Sequence, residues 1–415
     1  MSFIVSAPSS GSGKTTITLG LLRALSRTQP IRAAKSGPDY IDPRFHEAAC
    51  GRPCVNLDAW AMTPDRIKSL AHGDTPLIIE GAMGLFDGAP PEGKGATADL
   101  ARILRLPVVL VIDAGKMAGS VAPLVHGFMN FDPSVQIAGI ILNNVGSPRH
   151  EKMLRHALGD IKVYGVVPRT RDLTQPSRHL GLVQAQERPD LERYLDDAAD
   201  LITRSVDLDA LMALDARPLA ARPTCNLQPP AQSIAIAQDE AFAFTYPHVL
   251  NDWRTKGATL SFFSPLNNDP VPTADFVYLP GGYPELHAGR LASNLTFLDS
   301  LRGIKAPIFG ECGGYMILGD GLIDADGERH EMAGLLRLET SFAQRKLHLG
   351  YRHVTATHGP MAGSWTGHEF HYASTLRAEG TPLFNARDAE GHDLGAAGLI
   401  NGKVSGSFFH LIDAS

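Results

Sequence analysis

The sequence predicts an α/β fold of two domains, each built on a parallel sheet. Three observations predict it. Apolar runs of strand length alternate with helical periodicity along the 415-residue chain, as strands buried on both faces require. Each half carries a glycine-bearing turn between a strand and a helix. Between the halves, from Ala216-Arg217-Pro218 to Gln228-Pro229-Pro230-Ala231, proline and alanine accumulate without periodicity, which marks a domain boundary. The expected division is 1–215, a linker at 216–232, and 233–415.

The first half opens with a short apolar run, Phe3 to Val5, then Ala7-Pro8-Ser9-Ser10-Gly11-Ser12-Gly13-Lys14-Thr15-Thr16, then periodic leucines at 19, 21, 22 and 25. Strand, glycine loop and helix in that order form a phosphate-binding loop. Amide groups at the start of a helix lack intrahelical partners and point at anions. Ser10, Gly11, Ser12, Gly13, Lys14, Thr15 and Thr16 are therefore the expected ATP contacts, with Lys14 near the terminal phosphates and the Thr15 hydroxyl on Mg2+. The first glycine of the usual pattern is replaced by Pro8; the segment that cradles phosphate, 10–16, is intact.

Further strands are expected at 31–34, 77–80, 108–113, 137–143 and 163–167, with helices at 97–104, 121–131 and 150–158. Ligands of parallel sheets sit at the carboxyl ends of strands, and the polar residues of this half collect there. Lys35 to Pro43 brings Asp39, Tyr40 and Asp42. The segment Glu80 to Gly88 brings Glu80 at a strand end and Asp87 in its loop. A carboxylate facing a phosphate loop is the usual second magnesium anchor, and Glu80 fits it. Asp39, Asp42 and Asp87 suit metal, substrate or turn capping. Asp113 suits either the same strand edge or the cap of the next helix. Asn143 suits reading an adenine edge or, equally, a turn. Cys50 and Cys54 lack a second ligand pair and read as structural. Residues 189–214 read as a closing pair of charged helices.

Composition limits the remaining functions. Hydrophobic content of 44% and charged content of 20% are those of a globular chain. A formal charge of −6 argues against nucleic acid as a partner. No apolar run reaches the ~18 residues that span a bilayer, and no basic-then-apolar leader is visible. Four cysteines in so long a chain suit a reducing compartment, so a cytoplasmic location without membrane partners is expected.

The second half restarts with strands at 233–237, 259–263, 276–279 and 307–309 and helices at 249–256 and 291–301. Its last strand runs into Gly310-Glu311-Cys312-Gly313-Gly314, a glycine-flanked elbow with Cys312 where hydrolases place a nucleophile. A helix start behind it is expected to lower the thiol's pKa. Asn401-Gly402 signals a hairpin, so His410 is expected at the end of a terminal strand. His348, His353, His358, His368 and His371 compete with it as the base. The alternation of His368-Glu369-Phe370-His371 fits a strand better than a zinc helix.

Taken together, these segments resemble the cobyrinate/hydrogenobyrinate a,c-diamide synthases over essentially the whole length. The resemblance rests on Ser9 to Thr16, Lys35 to Asp42, Leu279-Pro280-Gly281-Gly282-Tyr283-Pro284-Glu285 and Gly367 to His371. It implies a dethiobiotin-synthetase-like ATPase domain followed by a class I glutamine amidotransferase domain. It implies that Cys312 attacks glutamine, that His410 is its base, and that Gly281 and Gly282, with Gly313, form the oxyanion and glutamine site. Its substrates would be a corrinoid acid, ATP and glutamine, with Mg2+, and a homodimer is the assembly it implies. Many glutamine amidotransferases carry Glu two residues after that histidine. Position 412 is Ile here, and the a,c-diamide synthases likewise lack that Glu, which leaves a third member unassigned. The rival family readings are nickel-sirohydrochlorin a,c-diamide synthase and cobyric acid synthase; the latter is longer and lacks the 37–42 run. A P-loop partner ATPase without amidase activity is a further alternative, but it would leave the Cys312 elbow without a task.

Overall fold

The computed structural model describes residues 2–170, 184–214 and 227–415. The chain divides into two compact units, Met1–Thr224 and Cys225–Ser415. Residues 216–226 of the expected linker lie outside the described residues. The remainder leads into the second unit, where Leu227 is buried and its N–H donates to Asp252 Oδ2 at 3.1 Å.

The first unit is one seven-stranded sheet flanked by helices. Its strands are β1 (Ser2–Ser6), β2 (Arg32–Ser36), β3 (Cys54–Leu57), β4 (Leu77–Glu80), β5 (Val108–Asp113), β6 (Ile137–Val145) and β7 (Val163–Pro168). Its helices are α1 (Lys14–Ser26), α2 (Asp42–Cys50), α3 (Pro64–Ala71), α4 (Thr97–Leu104), α5 (Val121–Phe131), α6 (Pro148–Leu158), α7 (Leu191–Ser205) and α8 (Leu208–Met212). The order is β3-β2-β4-β1-β5-β6-β7, and every pairing is parallel. The chain moves away from β1 in both directions across the sheet, so the loop after β1 opens at the switch point where ligands bind. The central strands read as unbroken apolar runs because helices cover both faces.

Strand β3 was not expected from the sequence. It is four residues long and carries Asn56, whose amide donates to the carbonyls of Gly37 and Asp39 at 2.9 and 2.8 Å. A polar residue inside a short strand hides the pattern, yet this one ties down the loop that holds Asp39.

The second unit holds a larger share of β structure than the sequence indicated. Its first part comprises β8 (Ser233–Ala237), α9 (Pro247–Thr255), β9 (Thr259–Phe263), β10 (Phe276–Leu279), α10 (Ala288–Ser293), α11 (Leu295–Gly303), β11 (Ile308–Glu311) and α12 (Gly313–Leu318). The single helix expected at 291–301 is two, broken at Asn294, whose amide donates to the carbonyls of Pro265 and Leu266. Then follow β12 (Gly321–Ile323), β13 (Arg329–Glu331), β14 (Arg337–Ser341), β15 (His348–Ala356), β16 (Gly363–His371), β17 (Ser374–Glu379), β18 (Phe384–Arg387), β19 (Asp393–Ala397), β20 (Leu399–Asn401), β21 (Val404–Ser407) and β22 (Phe409–Ala414). The main sheet runs β20-β21-β11-β10-β8-β9, and smaller sheets run β13-β12-β14-β17 and β19-β18-β15-β16-β22. The main sheet is parallel except for β20, which returns on β21 through Gly402 and Lys403. One core forms around Phe242, Phe297 and Met316 and another around Trp253, Phe276 and Phe384, each buried Leu- or Phe-sized side chain contributing about 1.5–3 kcal/mol.

Candidate functional site

Each unit carries a polar constellation at the carboxyl edge of its sheet. In the first, the loop after β1 turns into α1 at Gly13, whose φ of 89° is left-handed. No acidic residue stands in the first turn of α1, so the helix start keeps its preference for an anion. Ser12 Oγ donates to Ser9 O at 2.9 Å, and the Lys14 ammonium donates to the carbonyls of Ser9 and Met83. Burial lowers the Lys14 pKa against the pull of Glu80. Thr15 Oγ1 donates to Glu80 Oε1 at 2.6 Å. Ser10, Gly11 and Thr16 complete the same loop and first turn.

Behind this pair lies a buried charge network. Lys35, on β2 next to β4, is 2.9 Å from Glu80 Oε1, 3.7 Å from Asp39 Oδ2, and in contact with Asp42 Oδ2. His46 Nε2 sits 2.7 Å from Glu80 Oε2. Burial would raise the Glu80 carboxyl, but Lys35 and His46 outweigh it and hold it far below the usual range. Burial would lower Lys35, yet Asp42, Glu80 and Asp39 hold its ammonium well above the ordinary value. Burial, reinforced by Asp39, raises Asp42. The strand register Lys35↔Glu80 places these groups side by side, while His46 arrives one helical turn after Asp42 on α2. Nothing in the sequence singles out His46, because only the fold turns it toward Glu80.

The remaining residues of this edge divide by geometry. Asp39 Oδ1 accepts from the N–H groups of Ile41 and Asp42 at 2.8 and 3.1 Å, which is turn capping, while Oδ2 faces Lys35. Tyr40 is buried beside it. Asp87 Oδ2 accepts from Gly84 N–H at 2.8 Å and shapes the loop after β4. Asp113 accepts from Gly115 N–H and from the Asn144 amide. The Asn143 amide donates to Ser12 O at 3.0 Å. A cavity of about 140 Å³ opens there, lined by Gly13, Thr16, Asn143, Asn144, Val167 and Ile202 among others, beside the phosphate loop.

In the second unit, neighbouring strands deliver the parts of one site. Strand β11 ends at Glu311, and Cys312 follows with φ 46° and ψ −103°, the sharp turn expected of a nucleophile elbow. Strand β10 leads on one side into Gly281 and Gly282, and β21 leads on the other into β22. His410 therefore stands near the start of the last strand, β22, and not at the end of one. The difference arises at Phe408, where β21 stops and the chain turns before pairing again with β16. The Cys312 N–H donates to Ser407 O at 2.8 Å, and its thiol faces Phe370 O at 3.9 Å.

The glycines are set by close approach. A methyl on Gly281 would stand 2.2 Å from His410 Cε1, and one on Gly313 would stand 3.1 Å from Gly282 N. The histidine ring thus lies directly over Gly281, and Gly313 abuts the Gly281-Gly282 turn. Burial, with Glu285 adding to it, pushes the Cys312 thiol well above its ordinary value. This reverses the expectation of a thiol lowered by the helix behind it. A six-residue helix and one Gly313 N–H do not offset complete burial. His410 is lowered to about 3, by burial first and then by His368 and His371. At rest the thiol is protonated and the imidazole neutral.

Segment 368–371 is strand, the end of β16, as its alternation predicts. His368 pairs in register with His410. Glu369 is held by Arg352 at 2.7 Å and His371 at 3.0 Å, so its charge is already satisfied. Cys50 and Cys54 are buried free thiols, Cys54 lying 3.6 Å from His46 Nδ1. Glu311, the last residue of β11 and the neighbour of Cys312, has no role legible in the sequence; it lies 3.8 Å from His410 Nδ1.

Comparison with known proteins follows the same division. Residues 3–183 match the CobQ/CobB/MinD/ParA nucleotide binding domain, and residues 233–415 match the CobB/CobQ-like glutamine amidotransferase domain. The chain is 54% identical to the protein of Brucella anthropi named hydrogenobyrinate a,c-diamide synthase, covering 99% of this chain and 98% of that one. Proteins of the same name from Brucella ovis and Rhizobium meliloti are 53% and 52% identical, over 100% and 99% of this chain and 98% and 99% of theirs.

Proposed function

The chain belongs to the hydrogenobyrinate a,c-diamide synthase family, and from that membership we propose that it amidates the a and c acetate carboxylates of hydrogenobyrinic or cobyrinic acid in cobalamin biosynthesis, using ATP and glutamine. The observation that carries the reading is that one chain unites a phosphate loop facing a strand-end carboxylate with a cysteine elbow whose Gly313 abuts the Gly281-Gly282 turn that lies under the His410 ring. A carboxylate is a poor electrophile. Transfer of the γ-phosphoryl group of ATP to its oxygen gives an acyl phosphate and ADP. Ammonia then attacks the carbonyl carbon, the C–O bond to phosphate breaks, and amide and inorganic phosphate result.

In this reading Ser10 to Thr16 bind the phosphates, Lys14 meets the charge developing on the transferred group, and Asn143 lines the cavity for the base. Thr15 and Glu80 present only oxygen donors 2.6 Å apart, a set suited to Mg2+; Asp39 is the further metal candidate. Bound there, Mg2+ would supply positive charge to the phosphate oxygens. Lys35 keeps Glu80 ionised for that task. Asp39, Tyr40, Asp42 and Asp87 border the edge where the acetate arms would enter. Asp42, already committed to Lys35, acts through that lysine.

In the second unit the Cys312 proton passes to His410 as sulfur attacks the glutamine side-chain carbonyl, with the oxyanion received by amides around Gly281, Gly282 and Gly313. The C–N bond breaks, His410 returns the proton to the leaving ammonia, and water hydrolyses the glutamyl thioester to glutamate. We place this enzyme in the cytoplasm as a homodimer, with the division at 216–232 between synthetase and glutaminase. Among the described residues no helix is long and apolar enough to cross a membrane.

The test supplies the purified protein with ATP, Mg2+, glutamine and either macrocycle. Mass spectrometry should find two amides on one of them. Glutamine consumption with no amide on either would reject the assignment.

A further inference from the structure

We propose that Glu311 is the positioning residue of His410, its carboxylate holding the imidazole in the tautomer whose other nitrogen takes the proton of Cys312. The inference rests on reading the second unit as a glutaminase. The third member is missing from its usual place: Ile412 is fully buried, and its carbonyl accepts from His248 at 2.7 Å. A carboxyl reaches His410 from another strand instead. Glu311 Oε2 lies 3.8 Å from His410 Nδ1.

The side chain is fixed at both oxygens. Tyr278 OH donates to Oε2 at 2.7 Å, and the N–H of Leu411, next to His410 on β22, donates to Oε1 at 3.1 Å. Both bonds serve a carboxylate acceptor. Among the described residues, His410 is the one basic side chain within ion-pair reach of Glu311. A buried carboxyl without a permanent cation is costly, and a small apolar pocket walled by Trp253, Phe309 and Leu411 adjoins it. An imidazolium formed transiently at His410 would offset that cost during turnover. A closure of less than ~1 Å would make the Nδ1–H···Oε2 contact a hydrogen bond. With Nδ1 carrying the hydrogen, Nε2 keeps its lone pair for the thiol proton.

A pH signature follows. Burial raises Glu311 to about 8, opposed by Tyr278 and the Leu411 N–H. When protonated, the carboxyl can donate to Nδ1, which leaves the hydrogen on Nε2 and blocks acceptance of the thiol proton. Activity should therefore rise with pH as Glu311 ionises. The neighbours titrate elsewhere. Tyr278 on β10 is held well above its ordinary value, by burial and then by Glu311, and Cys312 is raised by burial. His410 on β22, flanked by His368, His371 and Glu369 on β16, stays neutral near pH 8. Glu285 acts on Cys312 and adds to its rise.

The test compares glutamine hydrolysis by full-length wild type, E311Q and E311D across pH. Wild type should show an ascending limb near 8 in kcat/KM. E311Q should lose about 100-fold in kcat with little change in KM, and lose the limb. E311D, which still ionises, should recover part of the rate together with a limb. E311Q within about threefold of wild type, or a limb that survives in it, overturns the proposal. Wild type that hydrolyses no glutamine overturns the glutaminase reading as well. Should the variants not fold, alkylation of Cys312 by iodoacetamide in wild type, followed by peptide mass spectrometry, decides. A rate rising near pH 8 supports Glu311, and a flat rate through that region refutes it.

Discussion

Thr15 Oγ1 donates to Glu80 Oε1 across 2.6 Å, joining the second residue of α1 to the last residue of β4. Substituting Thr15→Val keeps the shape and removes the oxygen. With ammonia replacing glutamine, synthesis should fall about 100-fold, and more Mg2+ should be needed for half-maximal rate. Unchanged Mg2+ dependence would show that Thr15 is not a metal ligand.

Lys35 is the cation shared by Glu80, Asp42 and Asp39. Lys35→Met leaves at least two carboxyls buried beside an apolar chain. The first unit should lose about 3–5 kcal/mol, read from urea unfolding. A loss below about 1 kcal/mol, the level of an exposed pair, would mean the network is solvated.

His410 ordinarily titrates near 6.5 and is held near 3 in the fold, mainly by burial. Below 6.5 the unfolded chain binds a proton that the folded chain refuses. Stability is therefore present above 6.5 and is lost as pH falls toward 3, by at most about 1.4 kcal/mol per pH unit. Glu80 adds a loss of its own below about 4.5, because its folded value is depressed by Lys35 and His46. Glu311, raised to about 8 by burial, acts in the opposite sense between about 4.5 and 8. The midpoint of urea unfolding in the second unit should therefore stay nearly level across pH 6.5 to 5, and His410→Gln, which removes only the histidine effect, should make it rise as pH falls. Equal slopes in both proteins would contradict the burial of a neutral ring.

Gly281 lies under the His410 ring, where an added methyl would approach Cε1 to 2.2 Å. Gly281→Ala should displace the ring and cut glutamine-supported synthesis by at least about tenfold. Synthesis from added ammonia reports whether the first unit still works. Full retention of glutamine use would mean the ring has room to move without consequence.

The two parallel sheets and both glycine turns were legible because each depends on contiguous residues: apolar runs for β1, β4, β5 and β6, and short motifs for Gly13 and Cys312. What escaped depends on neighbours distant in sequence. Strand β3 was hidden by Asn56, which looks like a loop residue until its amide meets Gly37 and Asp39. Strands β17 and β19 expose most of their side chains and so show little of the alternation that marks a half-buried strand. His46 and Glu311 gain meaning only when α2 approaches β4 and β22 approaches β11. The upward Cys312 shift is not legible in the sequence for the same reason, since a motif carries the turn but not the depth of burial around it.

Nitrogen released at Cys312 is expected to reach a carboxylate activated by ATP. Wild type given ATP, Mg2+, amide-15N glutamine and hydrogenobyrinic acid should yield product carrying two 15N amides, and Cys312→Ala should yield none. The same variant given 15N ammonia should still form both amides when ATP is present. Label appearing in product from Cys312→Ala and glutamine, or amides forming without ATP, would contradict the account.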